Sequence, residues 1–148
     1  MPHLFFRSSD TRKEAFLLGA LSSVALDWYA RKFIESALNN HFLNAFPIPT
    51  MSDLGEVAER IISVAGCLAA VDEDYADWAS MVGVPVGTLL QEEKRNEAIY
   101  ELDALVSIAY GLTKEQVVHI FETFHRGWDY KPRLERVLHY FDKWGGEK

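Results

Sequence analysis

A chain of 148 residues with 49% hydrophobic and 25% charged residues has the size and make-up of one globular domain, which excludes wholesale disorder and two full domains. Its net charge of −7 excludes a uniformly basic nucleic-acid binder, though not a local basic face. The single cysteine, Cys67, excludes an internal disulfide framework and a multi-cysteine zinc site, and its neighbours Ile61, Ile62, Val64 and Leu68 predict a buried small residue there.

The first residues, Met1-Pro2-His3-Leu4-Phe5-Phe6-Arg7, lack the features of a secretory signal. The two longest apolar runs stop at Asp27 and Asp72, short of the roughly 18 to 20 residues that span a bilayer, so a cytoplasmic location without membrane contact is expected. Leu4-Phe5-Phe6 reads as a short strand whose sheet partners lie outside the chain. Ser9 or Asp10 then caps a helix running to about Ile34, with Leu17, Leu21, Val24, Ala25 and Trp28 on one buried face. Residues 36–52 contain no Lys, Arg, Asp or Glu, and Pro47 and Pro49 impose extended backbone on the residues before them. This predicts an irregular connector and a boundary between residues 1–50 and 51–148.

Ser52 or Asp53 opens the next helix, with Asp53 and Glu56 at capping-box spacing and Leu54, Val57, Ala58, Ile61, Ala65 and Leu68 along one side. Asp72 caps a shorter helix from Glu73 to about Met81, and Gly83-Val84-Pro85-Val86-Gly87 breaks the chain. Thr88 with Gln91 is a second capping box, for a long helix through Leu102, Leu105 and Val106 to Tyr110 that Gly111 ends in the left-handed conformation. Thr113 with Gln116 is a third box and starts a helix over 114–124 with Val117, Ile120, Phe121 and Phe124 inward. After a turn at 125–130, Pro132 suits the first turn of a last helix built on Leu134, Val137, Leu138 and Phe141. The expected fold is mainly α: about six helices in an irregular bundle, with at most a short N-terminal strand.

The charge is unevenly placed. Residues 1–50 carry five Lys/Arg against four Asp/Glu, residues 51–110 three against twelve, and residues 111–148 seven against six. The acidity belongs to the middle, and the ends hold most of the cations.

There is no Gly-rich phosphate loop, no Gly-x-Ser-x-Gly elbow and no His-Glu-x-x-His, and His3, His41, His119, His125 and His139 show no metal-ligand spacing. Asp72 or Asp74 followed by Glu92-Glu93-Lys94 formally matches the order of acidic residues and lysine in metal-dependent nucleases. Those carboxylates usually lie on adjacent strands, whereas these glutamates lie in a first helical turn, where they favour the macrodipole anyway. Asp72, Glu73, Asp74 and Asp77 likewise lack the glycine and alternating oxygens of an EF-hand loop. No catalytic residue and no metal ligand is assigned. Most aromatics fall at core spacing, but Trp128 and Tyr130, beside Arg126, Lys131, Arg133 and Arg136, form an aromatic-basic surface suited to stacking on bases.

Two stretches carry a resemblance. Leu17-Leu18-Gly19-Ala20-Leu21-Ser22-Ser23, continuing through Asp27-Trp28-Tyr29-Ala30-Arg31 to Asn39-Asn40-His41-Phe42-Leu43 and Phe46-Pro47-Ile48-Pro49, resembles the end of the target-recognition region in large adenine-N6 DNA methyltransferases. These are the fused type IIG restriction-modification enzymes and their phage-defence relatives; type I specificity subunits end similarly. Glu101-Leu102-Asp103-Ala104-Leu105-Val106, with Tyr110-Gly111-Leu112-Thr113 and Ile120-Phe121-Glu122-Thr123-Phe124, is similar to the C-terminal tail of the same enzymes. The resemblance implies a C-terminal piece of a larger bacterial enzyme. The family's Asn-Pro-Pro-aromatic motif and its Phe-x-Gly motif for S-adenosylmethionine are both missing. The chain also departs from the family at Ser22, where Asn is usual, and at the last helix, where Lys131-Pro132-Arg133 replaces an Arg-Thr-Lys-Arg type sequence.

The resemblance implies a non-catalytic segment that supports target recognition, binds no cofactor itself, and works beside an upstream methyltransferase domain that takes S-adenosylmethionine. The candidate DNA contacts are Arg12, Lys13, Arg31 and Lys32 on the first helix, Asn39, Asn40, His41 and Asn44 in the charge-free segment, and Arg133 and Arg136 on the last helix. Trp28, Pro47, Pro49 and Gly111 are assigned structural roles. For the Asn group, satisfying the backbone of an irregular loop is the competing role. Two other functions fit the same residues: a stand-alone helical protein-interaction module with an acidic face, and a small metal-dependent nuclease built on Asp72, Glu92 and Lys94.

Overall fold

Asp10 caps the first helix as its sequence predicts, accepting from Arg12 N at 3.0 Å and Lys13 N at 3.2 Å, two donors that a helix start leaves without intrahelical partners. The computed structural model describes residues 10–33, 48–124 and 127–145. Within them run seven α-helices and no strand: α1 (Thr11–Leu21), α2 (Val24–Phe33), α3 (Glu56–Ala69), α4 (Ala76–Val82), α5 (Glu92–Ala109), α6 (Lys114–Thr123) and α7 (Lys131–Lys143). The Leu4-Phe5-Phe6 strand lies outside the described residues.

The first predicted helix is in fact two. Ser22 ends α1, and the Ser23 hydroxyl donates to Ala20 O at 2.8 Å while accepting from Leu26 N at 3.2 Å, so a serine caps a new helix in mid-run. The break sends the chain from one core to another, and the buried residues of α1 are Ala15, Phe16, Gly19 and Ala20 rather than the predicted stripe through Leu17 and Leu21. Two capping boxes also fail. Met51–Asp53 makes a 3-10 turn and Gly55, at φ +53°, starts α3, so Asp53 caps nothing. Gly87 donates to Ala70 O at 2.9 Å, which pins the chain beside the end of α3 and delays α5 until Glu92, well past Thr88.

Other signals read true. Asp72 accepts from Asp74 N at the start of the 3-10 turn that leads into α4. Thr113 and Gln116 form a reciprocal capping box, and Pro132 sits in the first turn of α7. Gly111, at φ +72°, ends α5 in a Schellman arrangement, with Leu112 N bonded to Ser107 O and Gly111 N to Ile108 O.

Two clusters of buried side chains meet on α5. The first joins Ala15 and Phe16 of α1, Ile61 and Ile62 of α3, Val82 of α4 and Leu102, Leu105 and Val106 of α5. The second joins Val24 and Ala25 of α2, Ala104 of α5, Val117, Ile120 and Phe121 of α6 and Val137 and Phe141 of α7. The predicted boundary at residue 50 therefore falls in a connector between helices that share a core. Cys67 is half-buried rather than buried.

Helices α1 and α3 approach each other at Gly19. A Cβ there would lie 2.9 Å from Ile61 Cγ2, 3.2 Å from Ala65 Cβ and 3.3 Å from Leu102 Cδ1. No rotamer of a branched side chain fits that gap without moving a helix. Gly19→Val is expected to lower the urea-unfolding free energy by about 2–3 kcal/mol, whereas Gly83→Asn, at an open left-handed position, costs much less than that. Equal losses at the two sites would contradict the close packing.

Candidate functional site

Residues 101–107 of α5 are all buried, and they include Glu101, Asp103 and Ser107. A helix buried on every side normally carries apolar residues throughout, so each polar group here needs a partner. Ser107 donates back to Asp103 O at 2.8 Å. Glu101 accepts from Arg60 of α3 through Nε at 2.6 Å and Nη2 at 3.3 Å. Asp103, 1% exposed, takes three donors from two other helices: Val24 N at 3.0 Å on Oδ1, and Arg133 Nε at 3.1 Å and Nη2 at 2.5 Å on Oδ2.

Desolvation pushes the Asp103 carboxyl above its ordinary range, while the guanidinium and the Val24 N–H pull it down. One turn and a half earlier, the opposite holds. The Arg136 guanidinium grips Glu97 at 3.0 and 3.1 Å and Tyr140 OH donates to it at 2.7 Å, which holds Glu97 below its ordinary 4.5. Tyr110, half-buried at the end of α5, is pushed up to about 12 by burial.

The predicted DNA contacts separate into groups. Arg133 is engaged by the buried Asp103, and Arg136 by Glu97 at the part-exposed surface between α5 and α7. Arg12 pairs with Glu59 and donates to Val82 O at 3.2 Å, tying α1 to α3 and α4. Arg31 stays on the surface, 3.2 Å from Asp27 and over the Phe124 ring at 4.6 Å. Lys13 is exposed on α1 and makes no ion pair among the described residues; Lys32 lies in the last turn of α2. Asn39, Asn40, His41, Asn44 and Pro47 lie outside the described residues, while Pro49 sits in the connector before α3. Trp28 is structural, its Nε1 donating to Thr123 Oγ1 at 2.9 Å.

The aromatic-basic surface is not built as expected. Trp128 packs on Phe121 with centroids 5.8 Å apart and donates to Phe121 O at 3.2 Å, closing the second core. Among the described residues no three of His, Cys, Asp and Glu form a group that could hold a metal ion, so Asp72 and Glu92 do not assemble into one with a neighbour. A groove of about 420 Å³ between α3, α5 and the end of α7 is lined by Arg60, Cys67, Glu93, Glu97 and Tyr140 among others. Its carboxylates at 97 and 101 already have arginine partners.

Sequence reasoning missed Asp103, Glu101 and Glu97 as the organising residues. The signal was present: Glu101 and Asp103 alternate with Leu102, Ala104 and Leu105 in a run with no exposed face. Comparison with known proteins yields no match to a family model, a curated protein or a solved structure.

Glu97 gives a pH test. Its folded-state affinity for protons is lowered, so it contributes stability that is present above the unfolded glutamate range and lost as pH falls through the folded value. The stability difference between the protein and Glu97→Gln should therefore be largest near neutral pH and shrink below about 4. A difference that is constant with pH would contradict the Arg136–Glu97–Tyr140 assignment.

Proposed function

We propose that the chain is the non-catalytic helical C-terminal segment of a DNA adenine methyltransferase of the restriction-modification kind, and that it braces the target-recognition region on DNA. One observation carries this reading: the two stretches that bear the family resemblance meet in space. Val24, within the first stretch, donates to Asp103, 79 residues away in the second. Gly19 of the first also abuts Leu102 of the second. Two separated motifs that form one junction are expected to act as one unit.

In this role the chain makes no bond. Phosphate contacts fall to Lys13, Arg31 and Lys32 on α1 and α2, since the arginines of α7 are engaged elsewhere. S-adenosylmethionine and the target adenine belong to the upstream methyltransferase domain of the same polypeptide, in keeping with the missing Asn-Pro-Pro-aromatic and Phe-x-Gly sequences here.

Fluorescence anisotropy with duplex DNA across a salt series tests the brace. Neutralising two or three phosphates predicts a dissociation constant weaker than about 10 μM at physiological salt and a log–log salt slope shallower than about −3. Nanomolar binding by the chain alone would make it a reader in its own right and overturn the proposal. The reading frame upstream of Met1 supplies an independent check: Asn-Pro-Pro followed by Tyr or Phe is expected there. A complete gene beginning at Met1 with no methyltransferase beside it would overturn the proposal.

A further inference from the structure

Among the described residues Arg12, Arg31, Arg60, Arg133 and Arg136 each pair with a carboxylate, and Arg95 does not. Arg95 is half-buried, yet its side chain makes no hydrogen bond or ion pair among those residues. Its place in the first turn of α5 is adverse as well, because the N–H groups at the start of a helix favour an anion over a cation. A guanidinium partly withdrawn from water at such a place lacks the partner that its counterparts have.

Arg95 lines a groove of about 340 Å³ between α1, α3 and α5. Arg95, Ile99 and Leu102 recur at four and three residues on α5, so they share the face that forms one wall. Ala65 and Ala69, one turn apart on α3, line the second wall, and their short side chains leave the space. Leu18 of α1, 40% exposed, stands at the rim. Gly19 beside it presses on Ala65 and Leu102, which brings α1 down over one end of the groove. Leu102 lies two turns, about 10 Å, along α5 from Arg95, so the guanidinium marks the other end. Ser22 adds one hydroxyl, and no carboxylate is among the lining residues.

That lining selects its occupant. One cation at one end and apolar surface along the rest complement a small molecule with one anionic head and one hydrocarbon chain. A planar guanidinium matches a carboxylate through two parallel hydrogen bonds. A peptide laid along the groove would need partners for its backbone N–H and C=O groups, which one hydroxyl beside the arginine does not supply. We infer that the groove between α1, α3 and α5 binds a medium-chain aliphatic monocarboxylate, its head on Arg95 and its chain running past Ile99 and Ala69 toward Leu102. The assignment goes beyond the DNA reading and stands apart from it, since Lys13, Arg31 and Lys32 are not among the lining residues.

Octanoate is titrated into the full chain and followed by backbone amide shifts, with octanol and octylamine as the neutral and cationic controls. Saturable shifts are expected at residues 18–22, 65–69 and 95–102, with a dissociation constant of about 0.1–1 mM for so small a ligand. Octanol should bind about tenfold more weakly, and octylamine more weakly again. Arg95→Gln should weaken octanoate about tenfold and leave octanol unchanged. The melting temperature of that variant without ligand should equal or exceed that of the protein, because the cation has no described partner to lose. Leu18→Ser, at an exposed position, should weaken octanoate and octanol alike. The assignment is overturned by an absence of saturable shifts at these residues in millimolar octanoate, by equal affinity for octanoate and octanol, or by an Arg95→Gln variant that binds octanoate as the protein does. A leucine-ending tripeptide that binds there more tightly than octanoate would also overturn it, and would make the chain terminus of another protein the occupant.

Discussion

The stretch of α5 from Glu101 to Ser107 has no face toward water, yet it carries two carboxylates. Taking an ionised carboxylate out of water costs several kcal/mol unless good hydrogen bonds and an opposite charge replace its hydration. That constraint fixes the surroundings. Glu101 draws Arg60 and hence α3 to one side of α5, while Asp103 draws Arg133 of α7 and the first N–H of α2 to the other. The kink between α1 and α2 follows, because Val24 N is free to reach Asp103 only where the first helix has ended. One side chain thus holds the start of α2, which bears Arg31, and α7 together on α5.

The same constraint explains how the charges are divided. Arg60 and Arg133 reach in from the surface to the buried Glu101 and Asp103, and their worth is structural: the pairing prevents an uncompensated buried charge rather than adding much stability beyond an apolar equivalent. Lys13 and Arg31 of α1 and α2 stay at the surface, and Asp72, Glu73, Asp74 and Asp77 around the start of α4 make no ion pair among the described residues.

Local signals in the sequence foretold much of this. Caps that depend on neighbours in the chain, at Asp10, Asp72 and Thr113 and at Gly111, formed as their residue types require. Thr88 and Asp53 carried equally good local signals and failed, because a distant bond from Gly87 to Ala70 and the turn at Gly55 set the backbone first. The long first helix was misjudged for a similar reason: its apolar period continues through Ser22 and Ser23, but its two halves face different cores. Arg133 and Arg136 look like surface cations in a basic helix; only the fold reveals that carboxylates 30 and 39 positions away reach them. The segment with Asn39 to Asn44 lies outside the described residues, so the candidate site is legible there from sequence alone.

The packing of α2 and α7 on α5 turns on the Asp103 junction, and a double-mutant cycle tests that junction most directly. Stabilities of the protein, Asp103→Asn, Arg133→Met and the double variant give the coupling energy, and hydrogen exchange at the Val24 amide reports on the link to α2. A coupling of at least about 1.5 kcal/mol, with faster Val24 exchange in Asp103→Asn, is the expected result. Single losses that add to within about 0.5 kcal/mol, with Val24 protection unchanged, would contradict it.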